Sequence, residues 1–151
     1  MAAVRKAINI INKKAGFDFY LTQKFTAGLQ LTGTEVKSVR NNNASIGEAF
    51  CFFKGDELFI KSMNIGTWKQ GSYNNHDPFR VRKLLLKKKE LFKLRVKAAE
   101  KGFALIPVKL FESERGFLKL EIAIGQGKKS FDKRETIKER DVERNMRRVD
   151  E

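Results

Sequence analysis

The sequence is poor in the side chains from which small proteins usually build chemistry. It has one cysteine, Cys51, so a disulfide within the chain is excluded. Cys51 stands among Phe50, Phe52 and Phe53, which reads as a small buried apolar residue rather than a reactive thiol. There is one histidine, His76, and one Cys with one His cannot provide the spacing of a structural zinc site. No compact group of carboxylates suggests a magnesium site either, so no metal and no cofactor is expected. The two prolines, Pro78 and Pro107, exclude a proline-rich linker. No apolar run reaches the roughly eighteen residues a membrane-spanning helix needs. Residues 1–11 lack the apolar centre of a signal peptide, so a cytoplasmic location is expected. Enzyme templates fail as well. In Gly125-Gln126-Gly127-Lys128-Lys129-Ser130 the position five before Gly127 is Ile122, so the phosphate-loop pattern is absent. His76 is left as a lone candidate base for a nuclease, and lone histidines are mostly structural.

What the chain has in excess is positive charge. Lys plus Arg is 32 against 18 for Asp plus Glu, a formal net of +14 in 151 residues. Such a balance points to polyanionic partners, nucleic acid first and an anionic membrane surface second. With 41% hydrophobic residues the chain can still form one modest core.

Short apolar runs separated by turn signals fill residues 4–64. Phe17, Phe19 and Leu21 are spaced by two, as are Leu29 and Leu31, which reads as strands. Phe50 to Phe53 and Leu58 to Ile60 flank Lys54-Gly55-Asp56-Glu57, a hairpin signal. Residues 34–40 read as a short helix capped by Thr32 or Thr34, with Val36 and Val39 on one face. Asp77 as N-cap and Pro78 at the first helical position then predict a long helix running to Glu100 and stopping at Gly102. Most of Val81, Leu84, Leu85, Leu91, Phe92, Leu94, Val96, Ala98 and Ala99 fall on one core-facing stripe. Two strands follow, residues 104–111 and 117–124, the second alternating Leu118, Leu120, Ile122 and Ile124 with Lys119 and Glu121. These elements predict a mainly β protein: an antiparallel barrel with helices outside or plugging one end, or an open α+β sandwich. From residue 127 onward the chain is basic and has few large apolar residues, so a tail over 127–151 is expected, mobile when free, beyond a domain over 1–126.

Three clusters are candidate binding sites. The predicted long helix carries Arg80, Arg82, Lys83, Lys87, Lys88, Lys89, Lys93, Arg95, Lys97 and Lys101 against only Glu90 and Glu100, a phosphate-binding face or a solvated surface. The segment from Gly66 to Asp77 holds Trp68, Tyr73, Asn74, Asn75 and His76. These are suited to stacking on unpaired bases, or to anchoring the loop with His76 joining a helix cap. Asn12, Lys13 and Lys14 with Lys37 and Arg40 extend one basic face if the N-terminal strand lies beside the short helix.

Four motifs in order resemble the small protein B (SsrA-binding protein) family. They are Asn12-Lys13-Lys14-Ala15; Leu31-Thr32-Gly33-Thr34-Glu35-Val36-Lys37-Ser38; Asp77-Pro78 with Arg80-Val81-Arg82-Lys83-Leu84-Leu85-Leu86; and Gly127-Lys128-Lys129-Ser130-Phe131-Asp132-Lys133-Arg134 continuing to Arg140. The resemblance implies a closed antiparallel barrel of oligonucleotide-binding-like topology with one long and one short flanking helix. It implies RNA binding without catalysis: the tRNA-like domain of transfer-messenger RNA is held, and the complex enters stalled ribosomes with elongation factor Tu, in trans-translation. Taken with the clusters above, the residues expected to bind RNA are Asn12, Lys13, Lys14, Lys37, Arg40, Trp68, His76, Arg80, Arg82, Lys83, Leu85, Lys87 and Lys88. The tail, helical in the mRNA channel, would meet the ribosomal decoding centre through Lys128, Lys129, Phe131, Asp132, Lys133, Arg134, Lys138 and Arg140. A monomer is expected. Two positions depart from the family pattern: Thr26 stands where many members are acidic, and Phe19 where many have Tyr.

Overall fold

The computed structural model describes residues 7–68 and 75–149. Along the chain run β1 (Asn9–Ile11), α1 (Lys13–Asp18), β2 (Phe19–Leu29), α2 (Gly33–Arg40), β3 (Ala44–Ser45), β4 (Phe50–Lys54) and β5 (Glu57–Lys61). Then follow β6 (Asn64–Ile65), β7 (Arg82–Leu85), α3 (Lys88–Ala99), β8 (Phe103–Glu112), β9 (Leu118–Gly127) and α4 (Ser130–Val149). Seven strands form one antiparallel sheet in the order β1-β8-β4-β5-β7-β2-β9, and β9 pairs in addition with β8. β3 and β6 make a separate two-stranded ladder. The protein is thus mainly β, with helices at its flanks.

Local chemistry accounts for the strands. Lys54 pairs with Glu57 across Gly55-Asp56, and Gly55 takes φ 64°, a left-handed conformation that glycine adopts without a Cβ penalty. Leu118, Leu120, Ile122 and Ile124 of β9 are all buried, as the alternation predicts. Pro107 has no N–H to give to a ladder, and the register of β8 against β9 slips between Pro107 and Lys109. Gly125 lets β2 and β8 crowd β9: a Cβ there would meet Phe19 Cβ at 3.1 Å and Ile106 Cγ1 at 3.2 Å. Leu58, Ile60, Leu84, Leu120 and Ile122 centre the core, each contributing about 1.5–3 kcal/mol by leaving water.

The structure corrects two expectations. There is no long helix from Asp77. Asp77 accepts a hydrogen bond from Phe79 N at 2.9 Å and Arg80 N donates to the Asp77 carbonyl, so Asp-Pro makes a turn. Arg82 to Leu85 then forms β7, paired with β2 and β5, and the helix begins only at Lys88. The competing force is the ladder: two open strand edges offer backbone partners to both sides of β7. The second correction concerns Phe17, read as part of a strand. Asn12 caps α1 instead, its side chain accepting from Lys14 N, and β2 starts at Phe19.

Candidate nucleic-acid interface

The most constrained polar group among the described residues is Glu35, in the first turn of α2. Thr32 and Glu35 form a reciprocal capping box: the Thr32 hydroxyl accepts from Glu35 N, and Thr32 N donates to Glu35 Oε1 at 2.9 Å. The same carboxylate takes Arg80 Nη2 at 2.6 Å and the Nε of Arg82, and both Glu35 and Arg82 are fully buried. Burial alone would raise the Glu35 carboxyl. The hydrogen bonds from Arg80, Thr32 and Arg82, with the Arg82 charge, outweigh it and hold the group down to about 2. Burial pulls the Arg82 guanidinium below its ordinary value, and the contact with Glu35 works against that pull. The other Arg82 donors go to the carbonyls of Met63, Pro78 and Asp77. The cluster therefore locks α2, the 77–80 turn and β7 into one rigid body.

Around this lock the predicted residues separate into three roles. Asn12, His76 and Arg82 are buried and bonded within the protein. Asn12 Nδ2 donates to the Pro107 carbonyl at 2.8 Å, at the slip in β8. His76 Nε2 lies 2.9 Å from the Ile65 carbonyl, which only accepts, so Nε2 donates. Nδ1 lies 2.8 Å from the Thr34 hydroxyl, a second hydrogen bond to the ring. The ring that sequence offered as a base is thus occupied at both nitrogens. Among the described residues no group of His, Cys, Asp and Glu is arranged to hold a metal ion.

The second group is exposed or half-exposed, and all of it but Leu85 and Trp68 is cationic. Lys13 and Lys14 lie on α1, Lys37 and Arg40 on the last turns of α2, and Lys87 and Lys88 at the start of α3. Lys14 pairs with Glu48, whose hydrogen bond and charge raise the Lys14 ammonium. Arg40 reaches the Gly116 carbonyl at 3.3 Å, and Lys83 meets Glu57 at 3.0 Å. Arg80, 37% exposed, also binds the Gln30 carbonyl, so its guanidinium is oriented at the surface. Leu85 is 49% exposed at the end of β7, opposite Gly28. Trp68 is half-buried, and Asn75 clamps its backbone through both N–H and carbonyl. Tyr73 and Asn74 lie outside the described residues.

The third group is the tail. Lys128 to Arg140 lead into and along α4, with Lys129, Arg134, Lys138 and Arg140 exposed. The side chains of Phe131 and Asp132 lie outside those described. Glu35, the organiser of the site, belongs to one of the family motifs but was not expected as a site residue. Its sequence signal is the Thr32-x-x-Glu35 capping box.

A mainly β scaffold that uses a buried carboxylate to orient arginines and leaves cations outside is a binding protein. The comparisons give the family. The SmpB protein family matches residues 9–151. The SsrA-binding protein of Cytophaga hutchinsonii is 51% identical over 144 residues, 95% of this chain and 94% of that one. That of Bacteroides thetaiotaomicron is 50% identical over 143 residues, 95% of each. A solved chain described as "tmRNA-SmpB: a journey to the center of the bacterial ribosome" superposes with a TM-score of 0.69 at 39% identity, covering 82% of this chain and 87% of that chain. The chain belongs to the SmpB protein family, a family of RNA-binding proteins and not of enzymes.

Proposed function

We propose that this protein binds the tRNA-like domain of transfer-messenger RNA and delivers it to stalled ribosomes in trans-translation, without turnover. The observation that carries the reading is family membership across residues 9–151, joined to a net charge of +14. The body's RNA surface is assigned to Lys13, Lys14, Lys37, Arg40, Trp68, Arg80, Lys83, Leu85, Lys87 and Lys88. Asn12, His76 and Arg82 act behind it as positioning residues. β9 pairs with both β2 and β8, which supports a sheet closed into a barrel of oligonucleotide-binding-like topology. The tail, with Lys128, Lys129, Phe131, Asp132, Lys133, Arg134, Lys138 and Arg140, is assigned to the decoding centre and mRNA channel. Elongation factor Tu acts alongside, and the protein works as a monomer in the cytoplasm. No helix among the described residues is long and apolar enough to cross a membrane.

The test is a competition at physiological salt, with labelled tRNA-like domain challenged by excess bulk tRNA. A complex that survives the competitor establishes specific recognition. Displacement in proportion to mass would reduce the function to general RNA binding driven by charge.

A further inference from the structure

We propose that Phe92 of α3 is a stacking platform for one unpaired base of the bound RNA, with Lys89 and Lys93 on the phosphates beside it. The inference rests on the reading that the protein holds RNA, and it extends that surface along α3 from Lys87 and Lys88 at the helix start. The helix packs on β8 and β9, turns Leu94 fully inward and sets Leu91 half-buried against the core. Its core-facing side is thereby filled. Phe92 is nevertheless 68% exposed and Val96 48%, and the two lie four residues apart on the outer face. Two rows therefore run along the outside of α3: Lys88, Phe92 and Val96 in one, Lys89, Lys93 and Lys97 in the next.

A groove of about 230 Å³ opens beside the ring, lined by Gln23, Phe92, Lys93, Val96, Lys97 and Ile124. Its origin is local. The register of β2 against β9 slips between Leu21 and Lys24, and the Thr22 hydroxyl donates to the Ile124 carbonyl at 3.1 Å inside that slip. Small-molecule pockets run to roughly 300–1,000 Å³, so this groove takes a ring and not a whole ligand. No carboxylate lines it. Charge decides which ring. Glu90 is engaged by the backbone N–H of Lys87, and Glu100 by Lys97, whose ammonium also lies 4.9 Å from the centre of the Phe103 ring. The ion pairs of α3 are Arg95 with Asp56 and Lys97 with Glu100, which leaves Lys89 and Lys93 without one among the described residues. An open aromatic face beside two such ammonium groups fits a nucleotide, its base on Phe92 and its phosphates on the lysines.

The experiment uses the full chain, a labelled octa-adenylate and a blunt RNA duplex of the same length. Phe92→Ala weakens binding of the octamer about tenfold, the size of one base–aromatic stack. Phe92→Leu keeps apolar area without a stacking face and loses binding as well, whereas Phe92→Tyr retains it. Duplex binding is the same in all three variants, because paired bases are already stacked on one another. Their thermal melts match the wild type, since the ring is exposed. Replacing Lys89 and Lys93 by Ala flattens the salt dependence by about one unit of slope for each phosphate lost. Unchanged octamer affinity in Phe92→Ala would overturn the stack, and so would an equal loss on the duplex. If Phe92→Ala spares the octamer and weakens binding to ribosomal proteins freed of RNA, the ring docks protein and the proposal falls. None of these readings uses the tRNA-like domain. If that domain fails the competition assay while Phe92→Ala still weakens octamer binding, the proposed function falls and the stacking site stands.

Discussion

Glu35 and Arg82 show how much one buried charge pair can organise. Both are fully enclosed, so neither can lose the other without leaving an uncompensated charge in the interior. Glu35→Ala is expected to destabilise the protein by about 3–5 kcal/mol, measured by urea unfolding. The same pair sets an acid limit. Glu35 is held at about 2 when folded against an ordinary 4.5, so the native state favours the carboxylate. That stability, about 3 kcal/mol, is fully present above pH 4.5 and is lost as pH falls through 2. Thermal melts between pH 5 and 2, compared with Glu35→Gln, check the window: the wild type loses its margin over the variant across that range. Cys51 is the other buried group of note. Burial pushes its thiol up, so a maleimide is expected to label it only at the rate of unfolding; prompt labelling of native protein would contradict its buried place in β4.

Among elements, α2 depends on its first turn. The Thr32–Glu35 capping box is readable from spacing, and Thr32→Ala is expected to cost about 1 kcal/mol in a thermal melt. β7 is not readable. Its inward positions are Arg82 and Leu84, and its outward ones Lys83 and Leu85. An arginine at an inward position breaks the apolar alternation that marks a strand, while Leu84, Leu85, Leu91 and Leu94 together mimic a helical stripe. The partner carboxylate on α2, forty-seven residues earlier, compensates the charge of the inward arginine, and the carbonyls of Met63, Pro78 and Asp77 take its remaining donors. α1 escapes the sequence for a different reason: six residues carry too little periodicity to outweigh the alternation of Phe17, Phe19 and Leu21.

For the whole molecule the dominant quantity is the excess of cations, divided between a packed body and a tail helix. Replacing Lys83, Lys87 and Lys88 by Glu is expected to weaken RNA binding while the melting temperature is preserved. The plot of log affinity against log salt should flatten by about one unit of slope for each phosphate that the variant no longer neutralises. Unchanged affinity at physiological salt would remove these lysines from the surface. Deleting residues 127–151 is expected to leave binding to the tRNA-like domain intact and to abolish ribosome rescue, read by tagging of a stalled translation product. Loss of RNA affinity in that truncation would show that body and tail do not divide the work.

The sequence by itself determined the class of partner, the hairpin, the β8–β9 pair, and α2 with its cap. Charge balance, two-residue periodicity and capping are local properties that survive without knowledge of neighbours. Tertiary structure alone decided which polar residues face outward. Asn12, His76 and Arg82 read as ligand-binding groups, and each is turned inward by a partner far along the chain: the Pro107 carbonyl, Thr34 with Ile65, and Glu35. A buried hydrogen bond or ion pair between distant residues has no signature in either residue's own neighbourhood, which is why the lock between α2 and β7 is visible only where the sheet brings its parts together.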